Sequence, residues 1–233
     1  MTDYQQSIEY QNEQFKKKII APLFTSSQNI SLKQSVKTYK YIFLLNLLKS
    51  RPELRKFWND YLYWSISFLY EAYVSANLGQ KNGCYFLLRS SLENFVKFVC
   101  RAVGKEEEIS DHGFKNNNHI LTTYDWPKNG LAFFSKVCYF QSMYNNFSKL
   151  SHSAIKINDQ TPITYFSKIV ENFDNEYNDA MNNIQKLSDF YVYFIIFVCK
   201  SSLEKWDTYD LTTILRITYT DKQTKMILKF IKN

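Results

Sequence analysis

From Arg55 onward, apolar residues recur with the period of an α-helix. Trp58, Leu62, Ile66, Leu69, Tyr73 and Ala76 follow one another three or four apart, and Tyr61, Trp64 and Phe68 add a second apolar face. A helix apolar nearly all round belongs at the centre of its fold, and Gly79 is placed to stop it. Lys81-Asn82-Gly83 reads as a turn. A second helix then runs from about Cys84 to Val103, with the stripe Leu88, Leu92, Phe95, Val96, Val99, Val103 and a stop at Gly104. So short a turn makes the two helices antiparallel neighbours.

The pattern continues less evenly on both sides. Residues 131–152 predict a helix whose stripe is Phe134, Val137, Cys138, Gln141, Tyr144, Ser148 and His152. Residues 166–203 predict the longest helix, carried by Val170, Phe173, Tyr177, Ala180, Ile184, Leu187, Tyr191, Phe194 and Val198. Residues 34–49 predict another, followed by Pro52. Residues 3–20 carry a sparse stripe (Tyr4, Ile8, Phe15, Ile19), stopped near Pro22, and 23–33 read as a loop. The least periodic stretch, 104–130, reads as a long loop with room for one short helix. In the tail, the Thr and Ile content around Asp221-Lys222-Gln223-Thr224-Lys225 favours a short β-hairpin over a helix. The expected architecture is an all-α helical bundle with long helices. It forms a single domain over 1–233, with 1–22 as an N-terminal arm and 208–233 as a C-terminal appendage.

Polar residues interrupt these stripes at particular places. In 131–152 the stripe keeps its direction through Gln141, Tyr144, Ser148 and His152 but changes its chemistry, and polar groups sent towards neighbouring helices need partners. Arg89 and Glu93, four apart, share a face of their helix, and Glu71 interrupts apolar surroundings on the preceding one. These residues are expected to converge between helices, where a carboxylate would hold the guanidinium and a histidine beside it would serve as base or phosphate contact. Three readings of such a cluster stand side by side: a structural network that fixes helix register, a phosphate- or RNA-binding site, and a catalytic site.

Composition narrows the chemistry. Five Gly and four Pro among 233 residues leave little turn punctuation, as long helices allow. Aromatics make up 18%, expected mainly as core packing rather than base-stacking surface. The net charge of +7, with ten Lys/Arg against five Asp/Glu in residues 1–60, fits RNA, DNA or an acidic protein as partner and equally fits a merely soluble basic surface. Cys84, Cys100, Cys138 and Cys199 lie far apart, mostly among apolar neighbours, as reduced thiols of a cytoplasmic protein do. Their spacing does not suit zinc. His112 and His119 read as solvated loop residues rather than metal ligands, so neither metal nor cofactor is expected. The N-terminus lacks the pattern of a secretory signal, and the apolar run Phe190–Cys199 is too short to span a bilayer, so no membrane partner is expected. The phosphate-loop, dinucleotide, HExxH and GxSxG motifs are all missing from the sequence.

Two segments resemble a known family. Phe86-Leu87-Leu88-Arg89-Ser90-Ser91-Leu92-Glu93 resembles the LLRSxLE helix of HEPN-like helical proteins of bacteria. Tyr144 to His152 resembles their later YxxLSxxxH helix. Abortive-infection proteins of the AbiV-like kind and related uncharacterised families belong to this group. The matched segments cover about 17 residues, in the same order and at a fitting distance. The resemblance implies a helical bundle that forms a homodimer and acts in phage defence or as a toxin-type, metal-independent ribonuclease. Arg89, Glu93 and His152 would then be catalytic, and Tyr144 and Ser148 would contact substrate. Active members carry Arg and His on one helix in an RxxxxH motif. Here no His follows Arg89 until His112, and no Arg stands four to six residues before His152. A working site therefore requires Arg89 and His152 to meet across two helices. The alternative is a non-catalytic module of a defence system that binds RNA or a phage or host protein.

Overall fold

The computed structural model describes residues 3–15, 17–18, 32–111, 113–127, 131–152 and 173–232. Among the described residues every regular element is helical: α1 (Asp3–Phe15), α2 (Leu32–Ser50), α3 (Asp60–Asn77), α4 (Lys81–Ala102), α5 (Phe114–Thr123), α6 (Phe133–Ser151), α7 (Phe173–Val198), α8 (Lys200–Leu203), α9 (Thr208–Leu215) and α10 (Asp221–Lys232). Short 3-10 turns at Pro52–Phe57 and Glu106–Glu108 bend the chain between them.

Local signals explain the boundaries. The Asn59 side chain accepts the Leu62 amide at 3.1 Å and so caps α3. Gly79 (φ 71°) and Gly104 (φ 76°) leave α3 and α4 through the left-handed region that favours glycine. The expected turn at residues 81–83 is already the first turn of α4.

α4 lies at the centre, with α3, α5, α6 and α7 packed around it, and its antiparallel partner α3 makes the most extensive contact. Ser91 sits where α3, α4 and α7 meet. Its hydroxyl donates to the Ser65 carbonyl at 2.8 Å and lies 2.8 Å from the Tyr191 hydroxyl. One turn on, the Phe95 ring stacks on Tyr191 at 3.7 Å between centroids, and Phe140 and Phe194 close around it edge-on. The aromatic content is therefore largely core: Phe95, Phe98, Phe133, Phe140, Phe147 and Phe194 are all fully buried. Residues 3–15 of the expected arm lie against α2, burying Ile8 and Asn12.

Two expectations are corrected. The tail forms α9 and α10 rather than a β-hairpin. Asp207 caps α9 by accepting the amides of Tyr209 and Asp210. Thr220 and Gln223 cap α10 reciprocally: the Thr220 amide donates to the Gln223 side chain at 3.0 Å, and the Gln223 amide donates to the Thr220 hydroxyl at 3.4 Å. Ile227, Phe230 and Ile231 then fall on one buried face, a period that a strand cannot offer. The stripe of α6 is also shifted. Its buried positions are Phe133, Val137, Phe140, Met143 and Phe147, while Phe134 and Cys138 are exposed.

No helix among the described residues is long and apolar enough to cross a membrane. Cys84, Cys100 and Cys199 are buried and Cys138 is exposed. Burial pushes the thiols of Cys84 and Cys100 up to about 12 and raises that of Cys199 as well, so all three stay protonated and inert at neutral pH.

Candidate functional site

α4 and α6 carry the site between them. On α4, Arg89, Glu93 and Lys97 stand four apart and line one edge of the helix. α6 presents Tyr144 and, at its C-terminal end, His152. The Tyr144 hydroxyl donates to Glu93 Oε1 at 2.6 Å and accepts from Arg89 Nε at 3.0 Å. Arg89 Nε also lies 3.4 Å from Glu93 Oε1. Across the helices, an Arg89 terminal nitrogen sits 3.4 Å from His152 Nε2. A guanidinium can only donate, so a hydrogen bond between them requires Nε2 as the acceptor.

The aromatic ring of Tyr144 is held by two neighbours. The Phe114 ring, from α5, stacks on it at 3.9 Å and 3° between planes, and the Arg89 guanidinium carbon lies 5.1 Å from its centroid. A two-point clamp positions Phe114: Asn117 Nδ2 donates to the Ser110 carbonyl at 2.7 Å, and the Ser110 amide donates back to Asn117 Oδ1 at 2.8 Å. The Cys100 thiol, on α4, meets the Asn117 carbonyl at 3.3 Å. α5 is thereby tied to α4, and the stack Phe114–Tyr144–Arg89 spans three helices.

Arg89, Glu93, Phe114, Asn117 and Tyr144 wall a polar cavity of about 260 Å³ to which Asn94, Lys97 and Asp111 also contribute, and which His152 does not line. Lys97 donates to the Asp111 carbonyl at 3.0 Å, with the exposed Asp111 carboxylate 3.8 Å away. Two cations and two anions thus face one groove. Burial, and then the Glu93 carboxylate, raise the Tyr144 hydroxyl above the usual phenol range, while Arg89 pulls the other way. Tyr144 is therefore a neutral donor to Glu93 at physiological pH.

Four of the five residues expected at the site are brought together: Arg89, Glu93, Tyr144 and His152. Ser148 lies one turn from both Tyr144 and His152, but its hydroxyl is buried with no hydrogen-bond partner among the described residues and does not line the groove. Glu71 is exposed on α3, outside the cavity lining. His119 is exposed on α5, and His112 lies outside the described residues. No group of metal-ligating side chains occurs among the described residues. Lys97 was legible as the next residue on the Arg89–Glu93 edge; Phe114, from the aperiodic 104–130 stretch, had no such signal.

Chemically, the arrangement offers a fixed guanidinium and an ammonium for an anion, and an imidazole beside the guanidinium. No protein-family model matches the sequence, no curated protein is similar to it, and no solved structure matches the chain.

Proposed function

We propose that this chain is a HEPN-like, metal-independent endoribonuclease acting as a toxin or in abortive phage defence, with the Arg89–His152 pair as its centre. The observation that carries the reading is the approach of Arg89, which lines the polar groove, to His152 Nε2 at 3.4 Å across two helices; His152 itself stands outside the groove lining. Arg89, oriented by Glu93 and Tyr144, binds the scissile phosphate and offsets the charge that builds on its oxygens. Once the guanidinium turns to phosphate, His152 Nε2 is free to take the proton of the ribose 2′-hydroxyl. The 2′ oxygen attacks phosphorus, the bond to the 5′ oxygen breaks, and the leaving oxygen is protonated from solvent. The products are a 2′,3′-cyclic phosphate and a 5′-hydroxyl. The proposal includes a homodimer, which sedimentation at micromolar concentration tests.

The deciding experiment is controlled expression in a bacterial host, following growth and total RNA, with the purified protein assayed in excess chelator. Wild type should arrest growth and leave cyclic-phosphate ends with chelator present. His152→Ala should lose about 10²–10⁴ in cleavage rate, the usual range for a general base, while keeping its fold. Intact RNA in the wild type, or cleavage that survives both Arg89→Ala and His152→Ala, rejects the reading.

A second reading has its own support. Arg89, Glu93 and Tyr144 hydrogen-bond and pair with one another, as a lock fixing α4 against α6 would. On that reading the chain is a non-catalytic module that binds RNA or a phage or host protein. Growth arrest without RNA cleavage, together with a recovered stable complex, would favour it.

A further inference from the structure

Beside the groove, α3 carries an aromatic strip. Tyr61, Trp64 and Phe68 fall three and four apart, turned away from the Leu62–Ile66–Leu69 side that enters the core. Trp64 is 51% exposed, although it sits in the middle of a well-packed helix. Its neighbour Tyr61 meets it edge-on at 5.9 Å. Lys97 joins strip and groove: its ammonium lies 5.6 Å from the Tyr61 ring centroid, while its side chain lines the cavity that holds Arg89. Arg89 and Lys97 are eight residues apart on α4, about 12 Å along its axis at the usual rise. A continuous track therefore runs from guanidinium to ammonium to two aromatic rings.

We infer that the Tyr61–Trp64 face of α3 is a base-stacking site for single-stranded RNA, entered by a nucleotide flanking the one at Arg89, with Lys97 holding the intervening phosphate. This rests on the groove being a phosphate site, as proposed above. The charge pattern selects the occupant. An apolar protein surface laid over Trp64 would bury the Lys97 ammonium against no new anion, whereas a nucleotide brings its phosphate with its base. The Asp111 carboxylate, 82% exposed and 3.8 Å from the ammonium, is the group that phosphate displaces. Bases inside a duplex cannot offer their faces to a ring, so the strip selects unpaired strands.

The test measures binding of a short 2′-O-methyl oligouridine to the full chain by fluorescence anisotropy across a salt series. This probe cannot be cut by attack of the 2′ oxygen. Trp64→Ala should weaken binding at least about fivefold, the loss of one stacked base, and Trp64→Phe should restore most of it. Lys97→Met should weaken binding and reduce the salt slope by about one. Far-UV circular dichroism checks that each variant folds. Wild-type binding that Trp64→Ala leaves unchanged within twofold overturns the inference, as does no binding at all. A change from dimer to monomer in Trp64→Ala at unchanged oligonucleotide affinity also overturns it, making the strip a contact between copies. Failure of the catalytic reading shows differently: oligonucleotide binding that depends on Trp64 while natural RNA stays uncut leaves the stacking site standing and removes the nuclease.

Discussion

The two sides of α4 are built from the same helix and obey different rules. One side inserts Leu88, Leu92, Phe95 and Val99, all fully buried, among rings from α6 and α7. The other carries Arg89, Glu93 and Lys97 along an open groove, with about a third of the Glu93 side chain still exposed. On the first side, stability comes from area removed from water and from rings that fill space. On the second, the charges keep enough water that their pairing is worth only tenths of a kcal/mol. What that side gains is position: Arg89 is fixed by Tyr144, and Tyr144 by Phe114. A helix can thus anchor a domain and aim a guanidinium at once, because the two tasks use opposite faces and different energy terms.

The largest contrast is expected from Phe95→Ala, which leaves a void against Tyr191 and should cost about 3–5 kcal/mol in chemical denaturation. Tyr144→Phe keeps the stack with Phe114 but removes the hydroxyl shared by Glu93 and Arg89. It should cost about 1 kcal/mol and loosen Arg89, so that any phosphate affinity falls with it. Away from the groove, Asp189 on α7 has a carboxyl raised above the usual range, mainly by burial, against the pull of Tyr219 and Lys136. An acid raised in the folded state binds more protons folded than unfolded. Its contribution therefore becomes less favourable as pH climbs through the interval above its ordinary value of 3.8. Asp189→Asn lacks this term, so its stability relative to wild type should rise with pH across that interval in paired thermal melts; a flat difference would show that Asp189 titrates alike in both states. The smallest effect is expected from His152→Ala, an exposed position at the end of α6, which should change stability by no more than about 0.5 kcal/mol. A larger loss would make His152 part of the scaffold.

Much of this was written in periodicity. The stripes of α3, α4 and, from Tyr177 onward, α7 were legible because apolar residues recur there every three or four positions, and Gly79 and Gly104 marked two ends that positive φ confirms; Val170 of the α7 stripe lies outside the described residues. α6 was misread because Phe133 and Phe134 are both aromatic and the stretch to Phe140 is apolar on several faces. Period alone could not choose between two adjacent registers there, and packing against α4 and α7 chose. The tail departs from expectation for a different reason: its Thr and Ile content favours a strand, but Thr220 and Gln223 stand at the spacing of a helix start and cap one. Of the site, the pairing of Arg89 with Glu93 follows from their separation in sequence. Their meeting with Tyr144 and His152 depends on how two helices cross, and the Phe114 stack depends on where a loop returns.

The uneven burial of the four cysteines makes the native chain ready for selective labelling. Three thiols are shielded and hold their protons, so a maleimide should modify Cys138 alone at neutral pH. Cys138 lies on α6, six residues before Tyr144, about 9 Å along the helix axis. A dye or spin label there would report on the helix that bears Tyr144 and His152, without a single substitution to the protein.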